Sequence, residues 1–189
     1  MYWFIALFDS NTENIIKKME NEVRRNLIGS HLVKQKDGRP HLTLGHYYEL
    51  DKEEYIRLIE SFYEPIESFT ITFNTIGTFI NYPTLFLSPT ITKDLIHFHL
   101  NHHQFFKKFN YKANPLYLPE QWIPHCTILN KLTQETLIEA FTYCLKKSQT
   151  IMASIEEVAL VEMVEDDKGN VETTIVFSKK LRKSQRNHD

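Results

Sequence analysis

The sequence has only two cysteines, Cys126 and Cys144, among its 189 residues. Their spacing matches neither a zinc knuckle nor a disulfide framework. A chain without disulfides is typical of a reducing compartment, so we expect a cytoplasmic protein. Because Cys126 lies in an apolar stretch, we interpret it as a small buried hydrophobic residue rather than a nucleophile.

The sequence also has little net charge. Its 22 Lys and Arg residues and 24 Asp and Glu residues give a formal charge of −2. Proteins that hold long nucleic acids by counterion release need many cationic contacts. The composition therefore argues against that class, and we expect no DNA partner. A small nucleotide, or the end of an RNA held in a pocket, remains compatible with it.

No long hydrophobic run is present. The apolar segment 2–8 is too short to span a membrane, and it lacks the basic region and cleavage pattern of a signal peptide. We interpret it as a buried strand and expect no membrane association. A hydrophobic content of 42% and an aromatic content of 13% predict an ordinary globular protein, which we expect to be a monomer.

One five-residue pattern occurs twice, as Pro40-His-Leu-Thr-Leu44 and as Pro124-His-Cys-Thr-Ile128. On a β-strand, residues two apart point to the same face. His41 and Thr43 would therefore share one face, and His125 and Thr127 would share another, with aliphatic neighbours facing a core. A plainer interpretation is two edge strands that contain hydrogen-bonded structural histidines.

The order of predicted elements also repeats. Residues of about 1–82 and about 83–178 each read as strand, helix, motif strand, helix and strand, with nearly constant spacing between corresponding residues. Such spacing indicates an internal duplication. Two duplicated halves usually assemble about a pseudo-twofold axis, which would place His41 and His125 on opposite walls of a cleft.

A cleft with two imidazoles and two hydroxyls suits a phosphodiester. Histidine can accept or donate a proton near neutral pH, so one ring could deprotonate the attacking oxygen while the other protonates the leaving oxygen. Hydroxyl groups could hold the non-bridging oxygens. This chemistry needs no metal, because imidazolium and hydroxyl donors meet the charge.

The two motifs, PHLTL and PHCTI, together with the N-terminal FIAL strand, resemble the two-histidine (2H) phosphoesterase superfamily. The similarity is to its branch of 2'-5' RNA ligase-like proteins and RNA cyclic phosphodiesterases. The resemblance implies a single bilobed α+β domain over residues 1–180, with two antiparallel sheets lining a central cleft and helices outside. We expect residues 181–189 to form a basic disordered tail.

The resemblance also implies an activity. It assigns His41 and His125 as catalytic residues and Thr43 and Thr127 as phosphate-binding residues. The activity would be metal-independent hydrolysis of a 2',3'-cyclic phosphate or a 2'-5' linkage in a nucleotide or RNA terminus, without a cofactor. An alternative is a module with the same fold that binds nucleotide or another phosphate ligand without turnover.

Three further residues are candidates for substrate contact. Trp122 and Tyr82 lie near the motifs and could stack on a base, whereas Trp122 could equally belong to the core. Arg39 precedes the first motif and could reach phosphate, or it could be a solvated loop charge.

The remaining histidines allow one more hypothesis. His99 and His103 are one helical turn apart, a spacing found in zinc sites, which would suit a zinc-dependent hydrolase. No third ligand is identifiable, and a partly packed polar helix face explains the spacing without a metal. His46 is out of phase with His41 on the first motif strand, so it should point away from the cleft unless a bulge intervenes.

Overall fold

The computed structural model describes residues 1–27, 38–165 and 171–184. Seven strands are present in these ranges: Tyr2–Phe8 (β1), His41–Tyr47 (β2), Phe69–Gly77 (β3), Leu85–Pro89 (β4), Cys126–Leu129 (β5), Ile151–Glu165 (β6) and Val171–Lys180 (β7). The α-helices are Ser10–Asn26 (α1), Lys52–Tyr63 (α2), Lys93–Phe105 (α3) and Gln134–Lys147 (α4). Two 3₁₀ turns, Lys107–Lys112 and Pro115–Tyr117, follow α3. In these ranges no helix combines the length and the apolar character needed to cross a membrane.

Each α-helix begins at a capping side chain. Asp9, Asp51, Thr92 and Thr133 each accept a hydrogen bond from the backbone N–H three residues later. These bonds satisfy amides that the first turn of a helix leaves unpaired, which fixes where the helix starts.

The strands form one antiparallel sheet, with the order β2-β1-β6-β3-β4-β5 and with β7 paired to β6. The predicted α+β class is therefore confirmed. The two expected sheets are joined, because β6 is long enough to serve both halves. One edge of β6 pairs with β1, while the other pairs with β3 near its start and with β7 farther along.

The strand order is symmetric between the two halves of the chain. Exchanging β1, β2 and β3 with β4, β5 and β6 reproduces the same order read backwards. The order therefore has the symmetry that two equivalent halves would produce. A duplication in the origin of the chain stays a prediction.

The two faces of the sheet differ in how many residues pack against them. The larger core lies on one face, where residues of all four α-helices pack against Phe4, Leu42, Leu44 and other strand residues. A smaller buried cluster lies on the opposite face and consists of Ile5, Leu7, Ala159 and Val161, with Trp3 beside it. Leu7 pairs with His41 and Ile5 pairs with Thr43, so the first motif presents its polar side chains on this second face.

The predicted tail boundary at residue 181 needs correction. Leu181 is buried, and its backbone N–H donates to the carbonyl of Glu156. Arg182 exchanges backbone hydrogen bonds with residues 66 and 68. An apolar side chain and paired backbone groups therefore fix this segment to the sheet. Residues 185–189 of the predicted tail lie outside the described residues.

Candidate active site

Both motif strands contain a β-bulge at the same place in the motif. In the first, Ile5 pairs with Thr43 and Phe4 pairs with Gly45, which leaves Leu44 as the extra residue. In the second, Phe86 pairs with Thr127 and Leu85 pairs with Leu129, which leaves Ile128 as the extra residue. A bulge bends its strand and redirects the neighbouring side chains. The sequence repeat is thus also a repeat of backbone geometry.

The two motif strands meet although they lie at opposite ends of the strand order. Residues of β2 contact residues of β5 directly. The thiol of Cys126 is buried beside the backbone of His41, and burial raises the pKa of Cys126 to about 12. A thiol that stays protonated is a poor nucleophile. Cys126 is therefore a packing residue between the two motifs.

The two motif histidines have the same hydrogen bond. Nδ1 of His41 lies 2.7 Å from the carbonyl oxygen of Arg39, and Nδ1 of His125 lies 2.8 Å from the carbonyl oxygen of Ile123. A carbonyl oxygen can only accept, so Nδ1 carries the proton in each ring. In the neutral form, Nε2 is then the unprotonated nitrogen, and it makes no hydrogen bond to a described residue. Each ring can therefore exchange a proton at Nε2 with a ligand.

The environment lowers the pKa of both rings below the ordinary value for histidine. Burial is the main cause for His41; His125 lowers it further, and the bond to the Arg39 carbonyl opposes both effects. Burial is also the main cause for the lowered pKa of His125, opposed by its bond to Ile123. Since His125 contributes to the lowered pKa of His41, the two imidazoles lie near each other, although burial is the larger cause for both rings.

The two threonines are available for a ligand. Thr43 is half-buried and Thr127 is exposed. Neither hydroxyl has a hydrogen-bond partner within the described ranges. Because Thr43 pairs with Ile5 and lies two residues after His41, it shares the face of that histidine.

Aromatic side chains pack close to each motif histidine. The ring of Trp3 lies 6.4 Å from that of His41. The rings of Phe79 and Phe86 lie 4.9 and 5.3 Å from that of His125. A Cβ at Gly77 would come within 2.6 Å of the Phe86 ring, so this position needs a glycine for the ring to sit there. The sequence analysis did not identify these rings as neighbours of the motif histidines.

The three predicted substrate-contact residues lie in different environments. The Trp122 ring stacks on that of His99 at 3.9 Å, and its Nε1–H donates to the carbonyl of Thr43 at 2.8 Å. Tyr82 is 68% exposed in the loop that contains Phe79. These positions give Trp122 a contact with the first motif strand and leave Tyr82 accessible to a ligand.

Arg39 is already paired. Its guanidinium lies 2.7 Å from the Glu13 carboxylate and 3.0 Å from the Glu157 carboxylate. These two ion pairs raise the pKa of Arg39 against the opposing effect of burial, which is the largest single contribution. Two anionic partners hold this side chain in place, while its backbone carbonyl orients His41. A cavity of about 240 Å³ adjoins these three residues.

The bulge in β2 reverses the expectation for His46. The extra residue Leu44 returns His46 to the face of His41, where it pairs with Trp3. The Trp3 ring lies 6.2 Å from that of His46 and 6.4 Å from that of His41. Nδ1 of His46 lies 3.3 Å from the amide nitrogen of Asn114, while Nε2 is buried without a described partner.

The α3 histidines are structural groups. Nε2 of His99 lies 3.0 Å from the carbonyl oxygen of Leu44, and Nε2 of His103 lies 2.9 Å from the same oxygen. Both nitrogens must donate to that carbonyl, so they have no lone pair for a metal. Within the described ranges, no group of three or more His, Cys, Asp or Glu residues is arranged to hold a metal ion. His102, which is fully buried, hydrogen-bonds the hydroxyls of Tyr47, Tyr55 and Tyr63.

Comparison with known families identifies one match. The family described as the 2'-5' RNA ligase superfamily matches residues 8–167, which include both motifs. Comparison with curated protein sequences finds no significant match.

Several solved structures have a similar fold. The protein TT0787 of Thermus thermophilus has a TM-score of 0.65 and 16% identity, over 97% of this chain and 99% of that one. Escherichia coli LigT complexed with NADP+ has a TM-score of 0.60 and 16% identity, over 95% and 96% of the two chains. LigT complexed with 3'-AMP has a TM-score of 0.61 and 14% identity, over the same shares. At these identities the similarity establishes the fold alone.

Proposed function

This chain belongs to the 2'-5' RNA ligase superfamily, and we propose that it is a metal-independent phosphodiesterase. Its substrate would be a 2',3'-cyclic phosphate, or a 2'-5' linkage, in a nucleotide or at the end of an RNA. The main support is the matched geometry of His41 and His125. Each ring has its Nδ1 proton on a backbone carbonyl and its Nε2 free, and the two rings come from strands that contact each other.

The proposed reaction with a cyclic phosphate is an in-line displacement by water. Nε2 of one neutral histidine removes a proton from water as the water oxygen bonds to phosphorus. Nε2–H of the other histidine, protonated at the start, donates its proton to the 2' or 3' oxygen as the bond from that oxygen to phosphorus breaks. The product is a phosphomonoester with a free hydroxyl, and the charges of the two rings have been exchanged. A proton exchange with solvent restores the starting pair.

The threonine hydroxyls would hold the non-bridging oxygens. Thr43 and Thr127 each have a hydroxyl without a described partner, and each lies two residues after a motif histidine. Hydrogen bonds to these oxygens would strengthen as negative charge develops in the transition state. The roles of base and acid interchange between hydrolysis and its reverse, so we assign them to the pair.

A nucleotide is the substrate class that the comparisons favour. LigT has been solved with 3'-AMP, with ATP and with NADP+, and its fold is shared with this chain. Exposed Tyr82 lies on the loop whose Phe79 contacts His125, where it could reach the base of a nucleotide held by the pair. Base stacking on an aromatic ring tolerates different bases, so we expect a broad base preference.

A substrate panel tests the proposal. Purified protein would be incubated, with and without EDTA, with 2',3'-cyclic mononucleotides, 2'-5' oligoadenylate and an RNA ending in a cyclic phosphate. We expect opening of at least one cyclic phosphate, and a loss of about 10²–10⁴-fold when His41 or His125 is replaced by Ala. His97→Ala is the matched control, because His97 is an exposed histidine on the outer side of α3.

Two results would contradict the proposal. Full activity in both His41→Ala and His125→Ala would reject the acid–base assignment. Thermal stabilisation by nucleotides with no product by chromatography would instead indicate the alternative, a binding module without turnover. Circular dichroism and thermal unfolding of each variant would establish that the fold is retained.

A further inference from the structure

Side chains from the second half of the chain hydrogen-bond the backbone of the first motif strand, and we call this group of side chains the anchor. The carbonyl of Leu44, at the bulge of β2, accepts hydrogen bonds from Nε2 of His99 at 3.0 Å and of His103 at 2.9 Å. The preceding carbonyl, that of Thr43, accepts one from Nε1 of Trp122 at 2.8 Å. Three side-chain donors therefore hold two successive carbonyls of β2.

These donors are themselves fixed. The Trp122 and His99 rings are stacked at 3.9 Å with an interplanar angle of 2°. Nε2 of His99 also lies 2.9 Å from the carbonyl oxygen of Tyr117, and Nδ1 of His103 lies 3.0 Å from Oδ1 of Asn110. His99 and His103 are 3% and 2% exposed, so their bonds are shielded from water.

The anchor, which consists of His99, His103 and Trp122, holds the bulge at Leu44. The position of this bulge determines the direction in which the neighbouring Thr43 side chain points. A strand can place its bulge in more than one way, and each placement rotates the neighbouring side chains. Carbonyls fixed on both sides of Leu44 hold the bulge in the arrangement observed. The hydroxyl of Thr43 is then held in one direction before any ligand arrives, which is the condition for electrostatic preorganisation.

On α1, the helix that corresponds to α3, the second motif has no equivalent donors. Counted from the caps Asp9 and Thr92, the α1 positions that correspond to His99 and His103 are Ile16 and Glu20. Neither an aliphatic side chain nor a carboxylate can donate to a carbonyl at neutral pH. The anchor is thus a departure from the symmetry of the two halves.

We propose that His99, His103 and Trp122 are positioning residues that orient Thr43 for phosphate binding, and that they act on Thr43 alone. This inference rests on the proposed function and adds residues whose hydrogen bonds go to the backbone of β2 rather than to either motif histidine. It also gives α3 and the loop before the second motif a role in the first half of the site.

A double-mutant cycle tests the assignment. Trp122→Phe keeps a ring against His99 and removes the Nε1–H donor, and His99→Phe keeps the stack and removes the Nε2–H donor. We expect each to lower kcat/KM on a 2',3'-cyclic nucleotide by about tenfold, as for one weakened hydrogen bond to a charged group. In a Thr43→Val background, either substitution should lower kcat/KM by less than about twofold. In a Thr127→Val background, it should still lower kcat/KM by about tenfold.

A control variant and an NMR measurement test the positioning role without relying on enzymatic turnover. His97→Phe, the same substitution on the exposed side of α3, should change nothing. In protein with labelled threonine, three-bond couplings measured by NMR without ligand report the χ1 rotamer of each motif threonine. We expect Trp122→Phe to change the rotamer populations of Thr43 and not those of Thr127.

The outcomes separate the two proposals. Equal losses in the Thr43→Val and Thr127→Val backgrounds, or no loss at all, would overturn the positioning role. An unchanged Thr43 rotamer in both Trp122→Phe and His99→Phe would also overturn it, even if the wild-type protein opened no cyclic phosphate. Failure of the whole substrate panel with an altered Thr43 rotamer would instead reject the proposed activity and leave the anchor intact.

Discussion

His41 and His125 are equivalent in their hydrogen bonding: each donates Nδ1–H to the carbonyl oxygen of the residue two positions earlier. Because the accepting carbonyl lies only two residues before each histidine, the motif itself contains the group that orients the ring. It fixes the tautomer of each ring and directs Nε2 away from the strand. Two rings prepared in the same way can exchange the roles of acid and base, which a reversible phosphoryl transfer requires.

The lowered pKa values of both histidines predict an acidic pH optimum. The proposed mechanism requires one neutral and one protonated ring, and burial lowers the pKa of each ring. As the pH rises above these lowered values, the second proton is lost and the acid disappears. We expect kcat/KM, which reports the free enzyme, to follow a bell centred below about pH 6.5. A maximum at pH 8 with a 2',3'-cyclic nucleotide would contradict the environment described for the rings.

The buried α3 histidines predict loss of stability in mild acid. Burial lowers the pKa of His99 to about 3 and lowers that of His102 well below its usual range. The unfolded chain therefore binds more protons than the folded protein below about pH 6.5, so stability falls as the pH falls. Each ring should contribute a slope of about 1.4 kcal/mol per pH unit between roughly pH 6 and pH 4.5.

Urea unfolding at a series of pH values measures this slope. His102 is stacked between Phe4 and Phe106, with ring centroids 4.5 Å away on both sides. His102→Phe keeps that stack and removes the titrating group, so the slope should fall by about 1.4 kcal/mol per pH unit. The variant should also be less stable at pH 7.5 by about 1–3 kcal/mol, because the buried hydroxyl of Tyr63 loses its partner and those of Tyr47 and Tyr55 keep only each other. An unchanged slope would show that His102 does not titrate on unfolding.

Tyr82 should contribute to substrate binding and not to the chemical step. Tyr82→Ala is expected to raise KM for a 2',3'-cyclic nucleotide about five- to tenfold with little change in kcat, because stacking on a base is made in both ground and transition states. Tyr111→Ala is the control, since Tyr111 is 80% exposed on a 3₁₀ turn. Ribose 2',3'-cyclic phosphate has no base and should show no difference between Tyr82→Ala and wild type. An equal effect on that compound would reject stacking.

Removal of metals should leave the activity unchanged. Nε2 of His99 and of His103 donate to a backbone carbonyl, so the only histidine pair with zinc spacing on α3 is already engaged. We expect dialysis against EDTA to leave kcat/KM within about twofold, since protons rather than a Lewis acid assist the proposed step. Inactivation by EDTA, reversed by zinc, would favour a zinc-dependent hydrolase.

Much of the local structure could be predicted from the sequence. The boundaries of β1 follow from the apolar segment 2–8, and the four caps, Asp9, Asp51, Thr92 and Thr133, are of residue types that favour helix starts. The alternation of faces also holds for His41 and Thr43, which pair with Leu7 and Ile5 before the bulge. These features depend on neighbours a few residues away, which is the range that a single sequence describes.

The bulges and the contacts across the two halves could not be predicted. Leu44 is the extra residue of β2, and its carbonyl has partners on α3, more than fifty positions later in the chain. The face of His46 follows from this bulge, which the alternation pattern of the strand does not contain. The same holds for Trp122, whose two contacts, with His99 and with Thr43, lie in different elements.

The length of β6 limits how the molecule can move. Because this strand pairs with β1 on one edge and with β3 and β7 on the other, a hinge between the halves would break ladder hydrogen bonds in the middle of the sheet. A clam-like closure over the ligand is thus disfavoured, and within the described ranges side chains and loops such as 78–84 are left to adjust. We therefore expect the width of the opening to change little when a ligand binds, so that the fold sets the size of the molecule that can enter.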